Sequence, residues 1–116
     1  MREGLFWFLV ALASFAAVPT CAQTITIAGY ARSYSGFYFV RTICPQYFQV
    51  NIAFASKISA DTLEIGAIHF GKSQLKEAVV KELERRRVEV AATGEAAWCR
   101  YQRATMLGEG LTDLFR

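Results

Sequence analysis

The sequence predicts an all-α protein: a small bundle of three to four helices with one disulfide, following an N-terminal signal helix. Three observations lead there. Apolar residues recur at helical spacing from Leu75 to Tyr101. Capping residues, Asn51 and Ser73, precede two apolar-periodic runs. The chain has only two prolines, Pro19 and Pro45, and no Asn-Gly or Asp-Gly pair, so it lacks the turn chemistry of a many-stranded sheet.

Residues 1–22 read as a secretory signal peptide and residues 23–116 as a single small helical domain. Arg2 gives a basic start, offset by Glu3, and Leu5 to Val18 is an unbroken run of apolar and small residues. The run is shorter than the ~20 residues a membrane-spanning helix needs. Thr20 and Ala22 put small side chains at −3 and −1 to the bond before Gln23, as signal cleavage requires. A buried N-terminal helix and an uncleaved anchor are the competing readings. Cys21 adds a lipoprotein reading, which "VPTC" fits poorly, because such a cysteine normally follows Gly or Ala. The expected location is periplasmic or secreted, with membrane attachment only if the signal is uncleaved or lipidated.

Removing the signal changes how the composition reads. Part of the 53% hydrophobic content belongs to it, whereas the net charge of +3 survives because Arg2 and Glu3 cancel. That mild basic excess demands no polyanionic partner. A domain of this length buries only about 60–65% of its unfolded surface, so its core is marginal without reinforcement.

The first mature segment is ambiguous. "TITI" alternates like a short strand, predicting a strand or extended stretch near residues 23–28. Tyr30, Tyr34, Phe37 and Tyr38 then fall at i, i+4, i+7 and i+8, which is helical spacing, although the aromatic and β-branched content of 23–43 also suits a hairpin. A helix ending near Cys44 is preferred, because Pro45 disfavours helical angles at the residue before it. The next helix is predicted over 52–70. Asn51 is its N-cap, Val50 stands where a hydrophobic staple would, and Gly71 supplies the left-handed residue that ends many helices. Phe54, Ile58, Ile65 and Ile68 form its expected apolar face, with Thr62 in the gap.

A long helix follows, with Ser73 as its expected cap. Leu75, Val79, Leu83, Val90, Ala97 and Tyr101 fall within an arc of about 80°. Glu77 with Lys81 and Glu82 with Arg86 are favourable i, i+4 pairs. Gly94 either bends this helix or restarts it, with Thr93 as a cap for a restart. Gly108 and Gly110 end it, and "LTDLFR" is an apolar tail expected to fold back.

Cleavage before Gln23 leaves two cysteines, Cys44 and Cys99. An even count in an exported chain reads as a disulfide. The closed loop of about 55 residues would contribute at most ~4 kcal/mol. Zinc and a thiol nucleophile are the alternatives. A structural zinc site needs four ligands and the chain has one histidine, His69, and no C-x-x-C. The same His69 would have to be the base for a nucleophilic cysteine. No metal or cofactor is expected. If the long helix is continuous, Cys99 lies about 160° from the centre of the apolar arc, on the side of Val88, Ala92 and Ala96. The segment carrying Cys44 should then cover the back of the helix and helix 52–70 the front. Trp98, at the edge of the arc, should seal the core beside the bridge.

Two stretches carry the remaining functional candidates. "ERRRVE" offers Arg85, Arg86 and Arg87 as an anion or partner contact, against the alternative of a solvated helix face with interspersed glutamates. Arg86 and Arg87 lie on or beside the apolar arc, where they would snorkel or pair with a carboxylate. "YSGFYF" offers Tyr34, Phe37 and Tyr38 as an apolar groove, against ordinary core packing. His69, at a helix end, suits the helix dipole better than catalysis. The acidic residues are scattered, and no G-x-S-x-G, P-loop, G-x-G-x-x-G or H-E-x-x-H occurs, so no catalytic residue is assigned. Nucleic acid is not an expected partner, because the basic cluster lacks interleaved aromatics.

The signal, "RTICP", "GEAAWCRYQR" and the closing "LFR" together resemble small secreted one-disulfide helical proteins of Gram-negative bacteria. The resemblance spans the mature chain. Such proteins generally have no assigned activity, so no functional residue is carried over. The expected function is non-enzymatic: partner binding, or envelope maintenance, through an envelope protein. The alternative is a small ligand carrier or enzyme with a pocket beside the 34–39 aromatics and Arg86/Arg87.

Overall fold

The computed structural model describes residues 25–116; the signal segment with Cys21, and Gln23 and Thr24 of the expected 23–28 extended stretch, lie outside them. Four helices are present: α1 (Ile27–Ile43), α2 (Ile52–Phe70), α3 (Lys72–Thr93) and α4 (Glu95–Gly108). Short 3-10 turns follow α1 (Cys44–Gln46) and close the chain (Thr112–Phe115). There is no strand among the described residues, which settles 27–43 as helix rather than hairpin.

α1 starts where the alternation seemed to favour a strand. Thr26 is extended, but as a cap: its side chain accepts from the Gly29 N–H at 3.0 Å, and Ile27 is already helical. Among the described residues only Ile25 and Thr26 precede the helix, and no described segment offers them a ladder. α1 ends at Ile43 as expected, though for a different reason. Cys44 keeps right-handed angles (φ −79°, ψ −19°). Pro45 occupies the first turn of the 3-10 segment, where its missing N–H costs nothing.

α2 has the bounds predicted for it. Asn51 accepts from the Phe54 N–H at 3.0 Å, and Gly71 takes φ 88°. Its buried face differs from expectation. Ala55, Ser59 and Gly66 are buried, whereas Ile65 and Ile68 are 45% and 76% exposed. Small residues are inside because the helices run close together. A Cβ on Gly66 would stand 3.0 Å from Leu75 Cδ2 and 3.4 Å from the Tyr30 ring. α1 is equally small where it is buried: Ala31 packs with Leu63 and Ala67 of α2, while Ser35 and Gly36 meet Arg86 of α3.

Single glycines separate the last three helices. Gly71 and Gly94 (φ 93°) each end one helix and open the next. This corrects two expectations. Neither Ser73 nor Thr93 is a cap, because a one-residue link puts the glycine itself in the capping position, with no side-chain hydrogen bond. The break at Gly94 also overturns the helical-phase argument for Cys99. Val88 and Ala92 are exposed and Ala96 is only half-buried, so that face is not covered. Tyr101, meant to extend the apolar arc, is 67% exposed. The arc holds only within α3, where Leu75, Val79 and Val90 are buried. It meets α1 as well as α2: Ala31 and Tyr34 pack with Leu63 and Ala67 around Leu75 and Val79.

The bridge itself is as expected. Cys44 and Cys99 are disulfide-bonded with Cα atoms 5.5 Å apart, both fully buried. Around them Val40, Ala55, Val90, Trp98, Met106 and Leu114 form the larger of two cores. Trp98 lies beside the bridge with its ring edge-on to Phe39 (6.1 Å). The tail does fold back: Leu114 is fully buried, and its carbonyl accepts from the Asn51 N–H at 2.7 Å.

Candidate binding grooves

The three consecutive arginines serve different partners. Arg85 donates through Nε and Nη2 to Glu82 Oε1 (3.0 and 2.8 Å) and stands 3.7 Å from Glu89. The Glu82 hydrogen bond raises its already high pKa. Arg87 forks onto Glu84 in the open. Arg86 turns inward, its side chain 11% exposed. It donates to Ser35 Oγ (3.2 Å), the Arg32 carbonyl (3.3 Å) and Glu89 Oε1 (3.3 Å). Of the two residues expected to snorkel or pair along the apolar arc, Arg86 crosses to α1. Arg87 stays on its own helix. A guanidinium with donors in three directions is a brace between helices rather than a free anion receptor.

Glu89 is the other half of that brace. Its Oε1 accepts from the Trp98 indole N–H at 3.0 Å as well as from Arg86. The indole hydrogen bond chiefly holds its carboxyl below the ordinary range; burial opposes it, and the Arg86 and Arg85 guanidiniums add to the lowering. This network ties α1, α3 and α4 together across the Gly94 break. A second polar tie lies at the start of α4, where Tyr47 and Gln46 donate to Glu95 Oε1 at 3.0 and 3.1 Å. Desolvation and that carboxylate raise the Tyr47 pKa.

The three aromatic candidates are all half-buried but do not line one groove. Phe37 faces a polar cleft of about 660 Å³ between α1 and α4, which also contains Arg86, Arg32, Glu89 and Gln102. Tyr34 faces a second opening of about 660 Å³ between α2 and α3. Tyr38 stacks on Tyr34 (6.3 Å) and carries the Arg41 guanidinium over its ring at 5.4 Å. α1 stands between the two openings, Tyr34 bordering one and Phe37 the other.

The α2/α3 groove is the more apolar of the two. Leu63, Ala67 and Ile68 form one wall, Leu75, Val79 and Leu83 the other, and Tyr34 lies between them. Its charged groups stand on opposite walls, Glu64 on α2 and Lys72 with Lys76 on α3. The groove runs along α2 and α3 from the one-residue link at Gly71, and α4 packs at the far end instead of covering it. Sequence reasoning missed Leu63, Ala67, Lys72 and Lys76, and assigned Ile68 to the core. The available signal was an excess of apolar residues on α2, which carries a small face and a large aliphatic one while only the small face is needed for α1.

His69, in the last turn of α2, is exposed and stacks on Tyr30 at 6.3 Å. Among the described residues no three His, Cys, Asp or Glu side chains come together as metal ligands, and no helix is long and apolar enough to cross a membrane. No family model matches the chain, and neither a curated protein nor a solved structure matches it.

Proposed function

We propose that this is an exported protein of the bacterial envelope that acts by binding a partner protein rather than by catalysis. The observation that carries the reading is the open apolar groove between α2 and α3, rimmed by Glu64, Lys72 and Lys76. Its floor is core, Leu75 and Val79, but Ile68 on its wall stands in solvent, and exposed aliphatic surface beside such a groove suits a docking face. The signal-like N-terminus supports export, and a buried disulfide is compatible with an oxidising compartment. A photo-crosslinking residue placed at position 68, in the groove, and at position 88, on the exposed outer face of α3, tests the reading in the native envelope. Protein adducts at position 68 and none at position 88 are expected. Equal labelling, or none at 68, would remove the groove as the working surface.

A ligand-carrier reading draws on the other opening, which does bring Phe37 beside Arg86. Arg87 is not part of it, and the Arg86 donors already serve Ser35, Arg32 and Glu89. Native mass spectrometry of the protein purified from the envelope separates the two readings: a retained small molecule would favour the carrier.

A further inference from the structure

We infer that the occupant of the α2/α3 groove is a second copy of this chain, the α2 crest of each copy entering the groove of the other. The inference rests on the binding reading above and names its partner. The groove wall along α3, from Lys72 to Leu83, is about 16 Å long, the length of three helical turns. It therefore suits a helix better than a compact small molecule. The chain carries a matching helix face beside the groove itself: Ile65 and Ile68 stand out from α2, 45% and 76% exposed.

The charges choose between occupants. Lys72 and Lys76 alone would suit an anionic amphiphile, but Glu64 on the opposite wall would repel its head group. A second copy meets both signs. The inserted α2 carries Glu64 next to Ile65, and seating that crest between α2 and α3 brings Glu64 toward Lys72 and Lys76 of the other copy. A two-fold axis makes the contact twice, as in an isologous interface where residue i meets j and j meets i. Among the described residues none of these three side chains is engaged in an ion pair within its own chain, so each is free to make one across the interface.

Sedimentation velocity on the protein purified from the envelope tests this. A dimer at micromolar concentration is expected. Glu64→Lys should weaken it at least about tenfold, and Lys72→Glu with Lys76→Glu should do the same, through like charges brought face to face. Combining all three reversals should restore the wild-type association. Circular dichroism should show the same fold throughout, since all three side chains are exposed. A monomer at every concentration, or a dimer indifferent to the reversals, would overturn the inference. A monomer that still crosslinks through position 68 to a different protein would sink the second copy alone. Absence of any adduct at position 68 would sink the binding reading with it.

Discussion

The two ends of the bundle are built differently. At the bridge end, six buried residues from α1, α2, α3, α4 and the closing 3-10 turn surround the disulfide, with Phe37, Phe39, Ile43 and Phe48 packed against them. At the Gly71 end the buried core is Ala31, Leu75 and Val79. One end is closed by every element of the fold. The other is built from three helices alone and leaves Ile65 and Ile68 in solvent. The closed end therefore maintains the fold, and the open end is available for contacts outside the chain. A small domain with a marginal core can leave one end open only if the other is reinforced.

The largest expected effect tests the closed end. Trp98 is almost fully buried, with its ring against Phe39 and its N–H on Glu89. Trp98→Ala removes a large apolar group and leaves a cavity, which should cost about 3–5 kcal/mol in chemical denaturation. A loss below about 1 kcal/mol would mean that the bridge end is not the stable one.

The bridge comes next. Replacing Cys44 and Cys99 by alanine should cost on the order of 2–4 kcal/mol. The thermal midpoint should fall by roughly 10–25 °C for a domain of this length. A thiol assay on unreduced, denatured protein checks the bond directly, and two free thiols per chain would refute it.

The same contrast explains what could be read from the sequence. The bounds of α2 were legible because both ends are marked by local chemistry, Asn51 and Gly71. The disulfide was legible from the even cysteine count that remains once residues 1–22 are read as a signal for export. The cap at Ser73 was misread because capping rules presume a connecting loop, and Gly71 leaves none. The buried face of α2 was misread because periodicity ranks positions by hydrophobicity, whereas close helix packing selects by size. Ala55, Ser59 and Gly66 win that competition, and Ile65 and Ile68 are displaced to the surface. The direction of Arg86 was legible from its place on the apolar arc, but its partners on α1 were not, since they depend on tertiary packing. The groove was not legible at all: it arises from the angle between two helices, which no local pattern encodes.

A smaller effect comes from the polar brace at the edge of the closed end. The carboxyl of Glu89 is held below its unfolded value of about 4.3, chiefly by the Trp98 N–H. A group depressed in the folded state contributes stability above its unfolded pKa, and that contribution is lost as pH falls through the folded pKa. Its side chain is 40% exposed, so solvent screening keeps the contribution to about 1 kcal/mol or less. Between about pH 6 and pH 3 the wild type should lose more thermal stability than Glu89→Gln, by this amount. Parallel pH profiles would show that the brace carries no proton-linked stability.

The smallest expected effect is the sharpest test of the open end. Ile68 and Leu75 are aliphatic residues on opposite walls of one groove, and the sequence gives no reason to rank them differently. The fold does: Leu75 is buried against Gly66 and the α1 face, whereas Ile68 is three-quarters in solvent. Leu75→Ala should therefore cost about 2–5 kcal/mol, as for other buried large-to-small changes. Ile68→Ala, measured in dilute solution where any association is absent, should change stability by less than about 0.5 kcal/mol. An isoleucine whose removal leaves the monomer unaffected but abolishes contacts at the groove belongs to the surface chemistry of the protein and not to its core. If instead Ile68→Ala destabilised the isolated chain as Leu75→Ala does, the groove would be closed in solution, and the asymmetry between the two ends would disappear.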